Sequence, residues 1–128
     1  IREELRACRE AIESAGETFS TVDGRMLMRP PYGRRRPGTL RVLKDQGYIG
    51  VTWSITGYDW RPRTTAKAIT RRCMKAGEGD IILLHDGFDQ DPAFDRHKSV
   101  ETTRNLLEHY RPQGYDFVTV PDLVAAAR

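Results

Sequence analysis

The sequence predicts an α/β fold of alternating strands and helices, and three observations carry that reading. Ile81-Ile82-Leu83-Leu84 is an apolar run without polar alternation, the pattern of a strand buried on both faces, as in parallel sheets covered by helices. Stretches with apolar residues at helical spacing alternate with short β-rich stretches along the chain. Polar, turn-forming loops follow three of the strands, and in parallel α/β folds chemistry is placed at the carboxyl ends of strands. His85-Asp86-Gly87 closes the apolar run at such an end. A histidine there also has a plain structural use, as a cap on the strand or held by a backbone carbonyl.

Each element can be justified in order. Ile1, Leu5, Cys8 and Ile12 recur at helical spacing before Gly16, which predicts an amphipathic helix over 2–15. Residues 17–24 are turn material, and Met26-Leu27-Met28 reads as a brief strand ended by Arg29-Pro30-Pro31-Tyr32-Gly33, since two prolines cannot continue a paired strand. Pro37 suits the first turn of a second helix running to Gln46, with Leu40 and Leu43 inward and Gly47 as terminator. Tyr48–Ile55 is rich in β-branched and aromatic residues and reads as one strand, followed by the loop 56–62. Thr64 or Thr65 caps a third helix with Ala66, Ile69, Cys73 and Ala76 on one face. After the apolar strand comes a polar loop, 88–98, then a fourth helix capped by Ser99 with Val100, Thr103, Leu107 and Tyr110 on its inner side. Asp116–Val120 reads as a last strand, and Pro121-Asp122 opens a short terminal helix carrying Leu123, Val124 and Ala127.

Four βα units after a leading helix imply a parallel sheet with right-handed crossovers. Four strands do not close a barrel of the usual size, and the opening helix lacks the strand that would precede it. The chain therefore reads as the second half of a larger α/β barrel, with one open sheet edge if it stood alone.

A length of 128 residues bounds the chain to one compact domain. The 38% apolar fraction and mean hydropathy of −0.61 are those of a soluble globular protein. The longest apolar run is the four residues before His85, against the roughly 20 of a membrane-spanning helix, so neither a span nor a signal peptide is expected within these residues. The chain opens on Ile1 rather than Met, so a processed or truncated start is expected. Cys8 and Cys73 fall on the apolar faces of predicted helices without metal-ligand or redox spacing, so two buried thiols are expected rather than a disulfide. Basic residues number 21 against 18 acidic, a balance that selects no partner by sign. Arg34-Arg35-Arg36 is the one basic run; no aromatics interleave it, so it reads as a solvated loop rather than a nucleic-acid patch.

Three strand ends present Arg29-Pro30-Pro31-Tyr32, Asp59-Trp60 and Leu83-Leu84-His85-Asp86. Singly these have dull explanations: a surface ion pair for Arg29, a turn residue in Tyr32, a loop cap in Asp59, a core aromatic in Trp60. In this order and spacing they resemble the third, fourth and fifth motifs of the polysaccharide deacetylase family, the NodB-homology domain or carbohydrate esterase family 4. The helices flanking Arg29–Gly33, the aromatic strand around Trp53, the Gly79-Asp80-Ile81 approach to the apolar strand and the tail from Gly114-Tyr115 to Leu123 resemble it too, so the likeness covers nearly the whole chain.

The resemblance implies a deformed, TIM-barrel-related (β/α) barrel of which residues 1–128 form the C-terminal part of a single domain. It implies hydrolysis of N-acetyl groups on amino-sugar polymers such as chitin oligosaccharides or peptidoglycan, with a divalent metal, commonly zinc, polarising the carbonyl and acidifying its water. Carried over residue by residue, it makes His85 the general acid and Asp59 the carboxylate that holds the imidazole and raises its pKa. Arg29 would orient the catalytic aspartate, and the backbone N–H of Tyr32 would donate to the oxyanion. Trp60 and Leu83 would line the acetyl pocket, and Pro31, also counted as substrate-binding, would with Pro30 fix the loop that aims the Tyr32 N–H. His97, His109 and Asp86 receive no role.

The family's first motif, Thr-Phe-Asp-Asp-Gly or similar, and its second, His-x-x-x-His, have no counterpart here. Thr56 stands where many relatives carry an aspartate. No metal ligand is therefore assigned, and the ligands are expected in an N-terminal half. Two readings stay open: the C-terminal portion of a metal-dependent deacetylase, or a non-catalytic barrel fragment serving as a carbohydrate-binding or assembly module. The partners expected are an acetylated polysaccharide or oligosaccharide, together with the missing N-terminal segment or a second chain; neither nucleic acid nor a membrane span is expected. Such substrates lie mostly outside the cytoplasm, which makes an extracellular or cell-envelope setting the expectation for the full-length protein, although no export signal is visible in the chain.

Overall fold

A computed structural model of the chain describes residues 1–87 and 95–127, which form two compact units, 1–52 with 119–128 and 53–118. The segment Phe88–Phe94, most of the expected polar loop, lies outside the described residues, as does Arg128.

In the first unit, α1 (Arg2–Ser14) is followed by β1 (Thr21–Val22), β2 (Arg25–Met28), the 3-10 turn η1 (Pro31–Gly33), α2 (Pro37–Asp45) and β3 (Tyr48–Gly50). The strands form a sheet in the order β1-β2-β3, with β1 antiparallel and β3 parallel to β2. The β1-β2 hairpin is a correction to the expectation of plain turn material over 17–24. Asp23 and Gly24 both take left-handed backbone, φ 52° and 68°, the two-residue turn whose twist matches paired strands. Leu5, Met26, Leu43 and Tyr48 make the core, with Phe19, Met28 and Val42 against it. Of the apolar positions expected inward on the first two helices, Leu5 and Leu43 are buried, whereas Ile1 (53% exposed), Cys8 and Leu40 (43%) face solvent. The expectation of two buried thiols thus fails at Cys8; both cysteines are free, and Cys73 is buried.

In the second unit, β4 (Ile55–Thr56) leads through a loop to α3 (Ala66–Cys73), then to β5 (Ile82–Leu83) and α4 (His97–Tyr110), with a 3-10 turn η2 (Arg111–Gln113) after it. The terminal helix α5 (Val120–Ala126) returns to the first unit. Thr65 caps α3 through its side chain, as the sequence predicts. The stretch 48–55 is not one strand: Tyr48–Gly50 pairs with β2, Ile55–Thr56 pairs with β5, and between them only single backbone bonds continue, the Val51 N–H to the Met28 carbonyl and the Ser54 N–H to the Ile81 carbonyl. Asp116–Val120 forms no strand either. Its apolar residues Phe117 and Val118 stand 51% and 55% exposed, and Val120 opens α5.

Of the side of α4 expected inward, Tyr110 is buried, but the other three buried positions fall one residue earlier than expected. Ser99, Thr102, Leu106 and Tyr110 are buried, and Val100 is 60% exposed. This face packs on α3, where Ile69, Cys73, Leu106 and Tyr110 form the core with Ile55, Ile82 and Leu84 at its side. The Tyr110 hydroxyl donates to the carbonyl of Ala76 at 2.7 Å, which satisfies its polar end inside that core.

Candidate active site

Parallel pairing decides where the chemistry-bearing residues fall. Ile55 stands opposite Ile82 and Thr56 opposite Leu83, so the two strands run in the same direction and their carboxyl ends lie side by side. Asp59 follows the first by three residues and His85 follows the second by two. An antiparallel pair would have sent them to opposite ends.

The Asp59 carboxylate is fully used. Its Oδ1 lies 2.8 Å from His85 Nδ1, and its Oδ2 accepts the His85 backbone N–H at 2.6 Å and the Ser99 hydroxyl at 2.7 Å. The Asp59 side chain is wholly buried, while that of His85 is one-third exposed. Burial pushes the Asp59 carboxyl up, but the bonds from the His85 imidazole, the Ser99 hydroxyl and the His85 backbone outweigh it and hold the group below its ordinary value. An ionised carboxylate accepts from Nδ1–H, so Asp59 holds the imidazole by Nδ1 and not by Nε2.

The loop carrying Asp59 is pinned from the α3 side. Tyr58 takes left-handed backbone, φ 56°, uncommon for a residue with a side chain, and so turns the chain between Gly57 and Asp59. The guanidinium groups of Arg61 and Arg72 lie over its ring at 4.3 and 5.1 Å, and Arg72 also donates to the Gly57 carbonyl at 2.9 Å. Gly57 leaves no room for a side chain: a Cβ there would lie 2.8 Å from Ile69 Cγ2 and 2.9 Å from Leu84 Cδ2. Trp60 is 38% exposed and meets the His85 ring edge to face, centroids 5.0 Å apart.

The structure thus brings Asp59, His85 and Trp60 together. Leu83 is buried on β5, and Asp86 is exposed. Arg29, Pro31 and Tyr32 belong to the first unit. There Pro30 is fully buried, Arg29 is exposed, and Tyr32 is 83% exposed with left-handed backbone at φ 57°, which turns the loop sharply. Ser99 is the residue the sequence reading misplaced. It does not cap α4, which starts two residues earlier with Asp95 Oδ1 accepting the His97 N–H at 2.8 Å, and its hydroxyl is spent on Asp59 instead. His97, expected in a loop, is the first residue of that helix and pairs with Asp95 at the surface. Among the described residues no three His, Cys, Asp or Glu side chains converge as a metal site would require, and none of the helices is long and apolar enough to cross a membrane.

The second unit thus carries a carboxylate–imidazole pair on the carboxyl edge of neighbouring parallel strands, with a part-exposed tryptophan against the ring. Comparison with known proteins gives the family. The chain is 34% identical to a peptidoglycan-N-acetylglucosamine deacetylase of Bacillus cereus over 101 residues, 77% of this chain and 45% of that protein. It is 34% identical to a chitooligosaccharide deacetylase of Azorhizobium caulinodans over 64% of this chain and 40% of that one. Its fold matches a family 4 carbohydrate esterase from Streptomyces lividans solved with acetate, with a TM-score of 0.69 and 24% identity over 94% of this chain and 56% of the other. It also matches the peptidoglycan deacetylase PdaC of Bacillus subtilis, with a TM-score of 0.57 and 28% identity over 79% and 45%. No protein-family model matches. Sequence and fold together show the chain to be a relative of the polysaccharide deacetylases of carbohydrate esterase family 4, its fold a portion of their NodB-type barrel. The chain spans 45% of the Bacillus cereus deacetylase and about half of each solved structure, consistent with their C-terminal half.

Proposed function

We propose that this chain supplies the general-acid side of a polysaccharide deacetylase that hydrolyses N-acetyl groups on amino-sugar polymers such as peptidoglycan or chitin oligosaccharides. The observation that carries the reading is the Asp59–His85 pair: a buried carboxylate gripping Nδ1 leaves Nε2 to hold the proton that a departing amine takes. Amide cleavage needs that proton because an unprotonated amine leaves poorly. In the second unit Trp60, beside the ring, and Leu83 are assigned to the acetyl methyl, and in the first unit Pro31 is assigned a part in substrate binding. Arg29 is assigned to orienting the aspartate that serves as base, and the Tyr32 N–H to the oxyanion.

A divalent metal, zinc by preference, belongs to this reading and would polarise the acetyl carbonyl. The described residues do not fit it, since no group of three ligating side chains converges among them, and no step carried by this chain runs through it. We assign its ligands, and the base, to the stretch that precedes this one in the relatives, so that residues 1–128 form the C-terminal part of one domain.

The test joins the N-terminal part of the Bacillus cereus relative to this chain and measures acetate release from an N-acetylglucosamine oligomer with zinc or cobalt. Release that His85→Ala abolishes is the expected result. Metal binding and oligosaccharide binding without acetate release would overturn it in favour of a non-catalytic carbohydrate-binding module.

A further inference from the structure

Ser99 lies forty residues downstream of Asp59, on a different element, and is 7% exposed. The start of α4 is fastened to the β4 loop by two successive side chains. Lys98 Nζ donates to the Pro62 carbonyl at 2.8 Å, and the Ser99 hydroxyl donates to Asp59 Oδ2 at 2.7 Å. Behind them Thr102, Leu106 and Tyr110 bury the same face of the helix in the second unit. Oδ2 also accepts the His85 backbone N–H, which comes from the same strand end as the imidazole; Ser99 adds a second hold on that oxygen from an anchored helix, so Oδ1 remains for Nδ1.

We propose that Ser99 is a positioning residue for the acid: by holding Oδ2 it fixes the Asp59 rotamer that presents Oδ1 to His85 Nδ1, and so sets the direction of Nε2. The consequence for catalysis rests on the reading of His85 as the general acid; the grip on the pair does not. Oδ2 is also the acceptor of the His85 backbone N–H, so three donors on two oxygens hold carboxylate and imidazole as one rigid body. The depression of the Asp59 pKa by the Ser99 bond agrees with this role.

The experiment follows the His85 Nδ1–H resonance and its exchange with water in the 128-residue chain. Ser99→Ala is expected to move the resonance upfield and speed exchange roughly two- to tenfold, the fold-change of one ordinary hydrogen bond. Ser99→Thr is expected to restore the wild-type signal. In an Asp59→Asn background Ser99→Ala is expected to change nothing further, because its route to His85 is gone. A wild-type resonance and exchange rate in Ser99→Ala, or an effect that persists in the Asp59→Asn background, overturns the proposal. Should Ser99→Ala not fold, Ser99→Cys replaces a strong donor by a weak one at similar volume, and an unchanged signal there overturns it equally. Loss of acetate release in the joined protein would bear on the reading of His85 as acid and leave these signals unaltered.

Discussion

Asp59 concentrates three donors on a side chain with no solvent contact, so its removal leaves those donors unpaired rather than merely weakening a bond. Asp59→Ala is expected to lower unfolding stability by about 1–3 kcal/mol, read as a drop in urea midpoint without a change of slope. The pH dependence follows from the same bonds. The folded pKa lies below the unfolded value, so Asp59 contributes its full stability above the unfolded carboxylate pKa of about 4, and loses it as pH falls through the folded value. Asp59→Asn should therefore flatten the acid limb of the stability profile below pH about 4, and a limb as steep as wild type would remove Asp59 as its source. Asp59 and His85 were legible because their loop-end positions and neighbours form recognisable motifs. Ser99 was not: a serine near a helix start looks like a cap, and only the fold shows that Asp95 already serves the first turn, leaving Ser99 for Asp59.

At the scale of elements, composition foretold helices better than strands. The 3.6-residue pattern located α1 to α4 within a few residues, because a helix satisfies its own backbone. A strand needs a neighbour, and side-chain type does not say where the neighbour is. Tyr48–Ile55 has the residues of a single strand yet divides between two sheets, and Asp116–Val120 has strand composition but no partner. The buried face of α4 has a similar cause: Thr102 meets Thr70 of α3 and Ser99 meets Asp59, polar contacts that apolar counting assigns to solvent. Packing of α3 onto β4 depends on a missing side chain. Gly57→Ala is expected to destabilise by about 1–3 kcal/mol through overpacking, since the branched Ile69 cannot swing its Cγ2 away without moving its helix. In the first unit Leu43, 1% exposed, is the central contact of α2, and Leu43→Ala is expected to cost about 2–5 kcal/mol by the same denaturant measurement.

For the molecule as a whole, the alternation of strands and helices announced the α/β class, and the order of three loop motifs announced the family. The division into two compact units, each with its own core, was not visible, because contact clusters depend on which strands pair. The two thiols now differ in a way that serves the experimenter. Cys8 stands in solvent on α1, whereas Cys73 sits at 0% exposure in the second unit's core, its thiol pushed up first by burial and then by the charge of Asp59. A maleimide dye should thus attach once to the native chain and twice in denaturant. The rate at which the second label appears would serve as a built-in clock for the opening of the core beneath Asp59 and His85.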